Sequence, residues 1–147
     1  MADLDDVERL SNGDSALATI SIGRANGAPH ASVVNAGVIE NPLTGLRSVA
    51  FVARGSSFKL RRLREHAHCS VLFRVGWEWA ACDGPTTLIG PSDLPAGYAA
   101  SDVPKLLRDV FVAAGGSHDN WDEYDRVMAE DGRTAVFVDP QRIVGPG

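Results

Sequence analysis

The chain has 147 residues, 44% of them hydrophobic and 22% charged, with a formal net charge of −5 at pH 7. That length suits one domain whose core needs no metal or disulfide, and the composition excludes a disordered chain. The acidic balance excludes general binding to nucleic acid or to an anionic membrane surface, and no apolar run approaches the roughly 20 residues that span a bilayer.

In chain order, Met-Ala-Asp-Leu-Asp-Asp lacks the basic start and apolar centre of a signal peptide, so a cytoplasmic location is expected. Residues 3–11 predict a short helix. Residues 15–22 alternate, with Ala16, Ala18, Ile20 and Ile22 on one face, the period of a half-buried strand. Asn26-Gly27 is a hairpin signal, and a second strand follows at roughly His30–Ile39 until Asn41-Pro42-Leu43-Thr44-Gly45 breaks it. Arg47–Ala53 is almost continuously apolar and reads as a central strand. Residues 57–66 change to helical spacing at Leu60, Leu63 and Ala67, with Ser56 or Ser57 as the cap. Strands resume at Cys69–Val75 and Trp77–Cys82, the latter with Trp77, Trp79 and Ala81 on one face. Thr86–Ile89 continues or pairs with it after Asp83-Gly84-Pro85.

Two amphipathic helices come next. Val103, Leu106, Leu107, Val110, Phe111 and Ala114 make one stripe, stopped by Gly115-Gly116. Asn120 with Glu123 resembles a capping box, Trp121, Tyr124, Val127 and Met128 make the second stripe, and Gly132 ends it. Thr134–Val138 is the last strong strand, with a short one at Arg142–Val144. Antiparallel strands of this number and length usually close into a barrel, which removes their edges. The expectation is one α+β domain over residues 1–147, built on a six- to seven-stranded antiparallel barrel with peripheral helices.

The segment Ala53-Arg54-Gly55-Ser56-Ser57-Phe58-Lys59-Leu60-Arg61-Arg62-Leu63-Arg64 concentrates positive charge in an acidic protein. A strand delivers the chain to a Gly-Ser-Ser turn where a helix begins. Free N–H groups at a helix start, serine hydroxyls and a lysine together suit a phosphate. The simpler alternative is a solvated basic helix face behind a serine cap. On that helix Lys59 and Arg62 share one face and Arg61 and Arg64 another, which leaves Arg64 as a surface residue. The spacing is not that of a P-loop, and Gly23-Arg24-Ala25-Asn26-Gly27 lacks the third glycine and following helix of a dinucleotide fingerprint.

Other constellations carry less. His66, His68 and Cys69, with Cys82 downstream, have no acidic residue nearby to complete a metal set, so no metal is expected. Cys69 and Cys82 sit in apolar runs and read as buried thiols. Trp77 and Trp79 are core or interface residues by default, with stacking on a cofactor or substrate as the alternative. His118 beside Asp119 and Asp122 reads as the entry of a capped helix. No hydrolase motif is present.

Several short pieces in order add a resemblance. They are Leu17-Ala18-Thr19-Ile20, Asn26-Gly27-Ala28-Pro29-His30, Val33-Val34-Asn35-Ala36-Gly37, Ala53-Arg54-Gly55-Ser56-Ser57 with Lys59, Gly76-Trp77-Glu78-Trp79, and the run from Gly115 to Glu130. Together they resemble the split β-barrel flavin and deazaflavin oxidoreductases, the group that contains pyridoxamine 5'-phosphate oxidase, and within it the actinobacterial branch that uses coenzyme F-420.

The resemblance implies an FMN-binding type of split barrel, a homodimer with two cofactor sites at the subunit interface, and hydride transfer between F-420 and a small organic substrate, with FMN as the alternative cofactor. A dimer that binds a flavin without turnover is a further alternative. The phosphate end would lie against Arg54, Ser56, Ser57 and Lys59. The ring would lie along Ser32, Val34, Asn35 and Ala36 with Val52 and Ala53, and Trp77 or Trp79 would be the stacking candidates. Phe58 departs from the family pattern, where relatives often carry a basic residue beside the lysine. No catalytic acid or base is assigned.

Overall fold

The apolar alternation in the N-terminal third becomes barrel wall in the computed structural model, which describes residues 1–146. The strands are β1 (Leu17–Gly23), β2 (Pro29–Glu40), β3 (Arg47–Ala53), β4 (His68–Val75), β5 (Glu78–Ile89), β6 (Thr134–Val138) and β7 (Arg142–Val144). The helices are α1 (Leu4–Ser11), α2 (Phe58–Glu65), α3 (Val103–Ala113) and α4 (Trp121–Glu130). The strand order is β4-β1-β2-β3-β6-β5, and β4 pairs back onto β5, so six antiparallel strands close into a barrel. β7 pairs with β5 beside it. This is the expected α+β barrel with peripheral helices. Among the described residues no helix is long and apolar enough to cross a membrane.

Two apolar layers hold it together. Inside the barrel, Ile20, Ile22, Phe51, Val71 and Phe73 pack with Val7 and Leu10 of α1 and with Leu60 and Leu63 of α2. Outside it, α3 and α4 lay Leu106, Leu107, Val110 and Tyr124 over Ala50, Ala135 and Phe137 of β3 and β6. β3 and β6 are therefore covered on both faces, which explains why their sequences are nearly continuous apolar runs.

Local chemistry shifts two boundaries. The first strand starts at Leu17 rather than Ser15, because Asp14–Ala16 forms a 3-10 turn in which Ser15 and Ala16 take positive φ. The segments around Trp77–Cys82 and Thr86–Ile89 form one strand, β5. A Cβ at Gly84 would lie 1.9 Å from the Asp139 carbonyl oxygen, so bare backbone lets β5 pass the β6–β7 turn. Trp77 does not share a strand face with Trp79. Gly76, at φ +62°, and Trp77 form the two-residue turn between Val75 and Glu78, and Trp77 is 96% exposed.

The barrel wall opens between β2 and β3. β2 pairs with β1 along Pro29–Asn35 but with β3 only along Ala36–Glu40. Beyond Phe51, β3 pairs with β6 alone. The two strands part at the Ala36–Phe51 pair, and the opening between them faces α2 and the turn that follows α4.

Cys69 lies opposite Gly84, and Cys82 opposite Val71, so the two thiols stand diagonally on neighbouring strands. Both are free and buried. Burial first, then neighbouring anionic groups, pushes each thiol up to about 12, which makes them inert at neutral pH.

Candidate functional site

The turn between β3 and α2 forms one end of a groove. The Ser57 N–H donates to the Arg54 carbonyl (3.0 Å), and the Ser57 hydroxyl oxygen accepts from the Leu60 N–H (3.3 Å). Ser57 is thus the cap, and Ser56 stays exposed beside it. The first-turn amides of α2 have no acceptor within the helix and carry its positive end. Lys59 reaches back to β2, where its Nζ lies 3.2 Å from the Ser32 hydroxyl.

A second turn is clamped onto this one. α4 ends with Gly132 at φ +60°, its N–H donating to the Ala129 carbonyl and the Arg133 N–H donating to the Met128 carbonyl, a Schellman pattern. The Gly55 N–H donates to the Asp131 carbonyl at 3.1 Å. A Cβ on Gly55 would sit 2.7 Å from the Gly132 carbonyl oxygen, so glycine is what allows the close approach. Arg133 leaves this turn into the groove, with its Nε donating to Asp131 Oδ2 at 3.3 Å.

The groove consists of two adjoining cavities. One, of about 400 Å³, is lined by Val34, Arg54, Ser56, Ser57 and Lys59. The other, of about 460 Å³, lies between the parting of β2 and β3 and the end of α3, and is lined by Ser15, Asn35, Phe111, Gly115, Gly116 and Met128 among others. Val52 and Arg133 belong to both. The result is cationic at one end and apolar at the other. α3 reaches this position because Gly37 has no side chain: a Cβ there would lie 2.1 Å from the Ala113 carbonyl oxygen.

The donor set is selective. Among the described residues no carboxylate lines either cavity. Arg24, Arg54, Lys59, Arg61 and Arg74 make no ion pair among the described residues, and the first four gather around the start of α2. The other arginines of that helix are committed. Arg62 donates to the Gly23 carbonyl, and Arg64 pairs with Asp93 at 2.7 Å. Tyr124 borders the apolar end, but its hydroxyl donates to the Leu107 carbonyl (3.2 Å) and burial raises its pKa, so it is no ready proton source. His66 and His68 have ring centroids 6.3 Å apart, and among the described residues no group of three His, Cys, Asp or Glu is placed to hold a metal.

Of the residues singled out in the sequence, Val34, Asn35, Val52, Ala53, Arg54, Ser56, Ser57 and Lys59 line the groove, and Ser32 touches Lys59. Ala36 is buried behind it, paired with Phe51. Trp77 and Trp79 are not brought to it within this chain. Trp79 borders a separate cavity with Ala2, Leu10 and Pro146. Sequence reasoning missed Arg133, Phe111, Met128 and Ser15 as groove residues. Gly115-Gly116 and Gly132 were visible only as helix stops.

No family model matches the chain, and no curated protein does. Solved structures do match its fold. A conserved hypothetical protein of Mycobacterium tuberculosis superposes with a TM-score of 0.71 at 17% identity, covering 99% of this chain and 84% of that one. A candidate 5-nitroimidazole antibiotic resistance protein of Bacteroides thetaiotaomicron gives 0.66 at 14% identity, with 99% and 84% covered. A pyridoxamine 5'-phosphate oxidase-related, FMN-binding protein of Nostoc punctiforme gives 0.64 at 12% identity, with 97% and 80% covered. The chain therefore has the split-barrel fold that this FMN-binding protein and its pyridoxamine 5'-phosphate oxidase-like neighbours share.

Proposed function

We propose that the groove binds a phosphorylated flavin-type cofactor and that the protein is an oxidoreductase acting on a small organic substrate. The observation that carries this reading is the donor set at the start of α2. Arg54, Ser56, Ser57 and Lys59, with Arg133 opposite, offer cations and hydroxyls and no carboxylate. That chemistry fits a phosphate, and the apolar end beside it fits a ring. When bound, a flavin supplies two-electron transfer, the hydride chemistry that the protein itself lacks.

The chain's own contribution is position and environment. Lys59 and Arg54 hold the anionic end, while Val34 and Val52 form apolar wall. Phe111 and Met128 keep water from the far end, and the Asn35 side chain is fixed by donating to the Ser15 carbonyl at 2.8 Å. The resemblance in the sequence favours coenzyme F-420, whereas the FMN-binding structural neighbour favours FMN. Phe58, standing where a further cation would serve a longer anionic tail, weighs against F-420.

A homodimer belongs to the same reading. Leu17, Thr19 and Ser21 of β1 pair with Asn35, Val33 and Ala31 of β2 and share one face with them. Val33 is 63% and Leu17 43% exposed, no charge lies among these six, and Asn35 also lines the groove. A second copy covering this face would border the cofactor. Val33→Glu is expected to convert the dimer to monomer in sedimentation equilibrium; an unchanged mass for that variant, or a monomeric wild type, contradicts the dimer.

The test of the cofactor is titration of the purified protein with FMN and with F-420, followed by ring fluorescence. Saturable binding of FMN supports the reading, preference for F-420 returns the protein to the deazaflavin branch, and failure of both overturns it.

A further inference from the structure

The cationic end of the groove does not stop at the phosphate cradle. Ser32 and His30 follow Val34 along the same face of β2, since residues two apart on a strand point the same way. Val34 lines the cradle, Ser32 accepts from Lys59, and His30 packs against Phe58, with ring centroids 4.6 Å apart and planes inclined by 51°. Phe58 is the first residue of α2, directly after the Ser57 cap. Beyond its ring lies a further cavity of about 290 Å³ lined by Arg24, Phe58, Arg61, Arg62 and Glu65. Arg62 is held by the Gly23 carbonyl and by Glu65, whereas Arg24 and Arg61 have no carboxylate partner among the described residues.

We infer that this shelf takes the adenosine end of a dinucleotide, so that the cofactor is flavin adenine dinucleotide rather than the mononucleotide. The inference rests on the flavin reading above. A half-buried aromatic ring buttressed by His30 offers a platform for a base, which stacks on aromatic side chains through its π-face. Arg61 and Arg24 stand beside it as cations for a second phosphate, and either guanidinium also stacks on a purine. Three stations follow one another: the apolar cavity bordered by Val52, Phe111 and Met128, then the cradle, then Phe58. A mononucleotide leaves the third station unused. A purely anionic tail makes no use of the Phe58 ring.

The test is equilibrium titration of wild type, Phe58→Ala and Arg61→Ala with flavin adenine dinucleotide, FMN and ADP, read by ring fluorescence and, for ADP, by calorimetry. Wild type is expected to bind the dinucleotide at least about tenfold more tightly than FMN. Phe58→Ala should lower the affinity for the dinucleotide roughly 5- to 100-fold and leave that for FMN unchanged, the range expected for one base stack. Arg61→Ala, at an exposed position, should act in the same direction, and Phe58→Trp should keep the preference. Equal affinity for the two flavins, or variants that weaken both alike, overturns the dinucleotide assignment and leaves the flavin site standing. Failure of both flavins overturns both, and ADP binding without either flavin would make the shelf a plain nucleotide site and overturn the inference.

Discussion

The two ends of the groove are built from different materials, and they carry different loads. At the cationic end, Arg54, Ser56 and Lys59 project from a turn and are exposed or half-buried, so the barrel folds without them. At the apolar end, the wall is the edge of the outer core. Val110 and Tyr124 are buried there and pack on β3 and β6 through the same side chains that border the cavity. A change at the first end should alter binding and spare stability, whereas a change at the second should alter stability first. The lesson is that affinity and fold can be separated within a single groove.

The largest expected effect is on the apolar side. Leu107 is buried between α3 and the barrel, and Leu107→Ala should cost about 2–5 kcal/mol of unfolding free energy in a urea titration. A loss below about 1 kcal/mol would mean that α3 is not anchored as described. Lys59→Ala should do the opposite. FMN affinity should fall roughly 10- to 100-fold, about 1.5–3 kcal/mol, with the urea midpoint nearly unchanged. Ser57→Ala sharpens the contrast because Ser57 is both helix cap and cradle hydroxyl. It should lose about 0.5–2 kcal/mol of stability together with some affinity, measured on the same sample by denaturation and titration.

The smallest effect at neutral pH comes from the cysteines. Their native pKa is raised from 9.0 to about 12 by burial. Below pH 9 both folded and unfolded states keep the proton. Between pH 9 and about 12 only the unfolded state releases it, so stability should fall as pH rises through that window. Denaturation of wild type and Cys69→Ala at pH 7 and pH 10 checks this: the gap between the two pH values should shrink in the variant, and an equal gap would show that the Cys69 thiol is not responsible.

The cationic end was legible in the sequence because it is contiguous. A strand, a Gly-Ser-Ser turn and a helix with Lys59 in its first turn are all local features, and the structure assembles them by local rules. Arg133 was not legible. Its place depends on Gly55 and Gly132 packing against each other, a contact between distant turns that no periodicity announces. Gly132 was readable as a helix stop, but not as the residue that aims its neighbour at the cradle. The tryptophans show a different failure. Spacing of two put Trp77 and Trp79 on one face, yet Gly76 makes position 77 part of a turn, and turn chemistry overrides strand alternation there. The barrel itself was legible because each strand carries its own alternation or apolar run, and antiparallel closure follows from their number.

The most direct test of the account is to compare FMN with riboflavin, which lacks the phosphate, on wild type and Lys59→Ala. The cradle predicts that wild type binds FMN roughly 10- to 100-fold more tightly than riboflavin and that Lys59→Ala loses most of that advantage while binding riboflavin as before. Equal affinity for the two ligands, or a Lys59→Ala effect of the same size on both, would contradict a phosphate site at the start of α2.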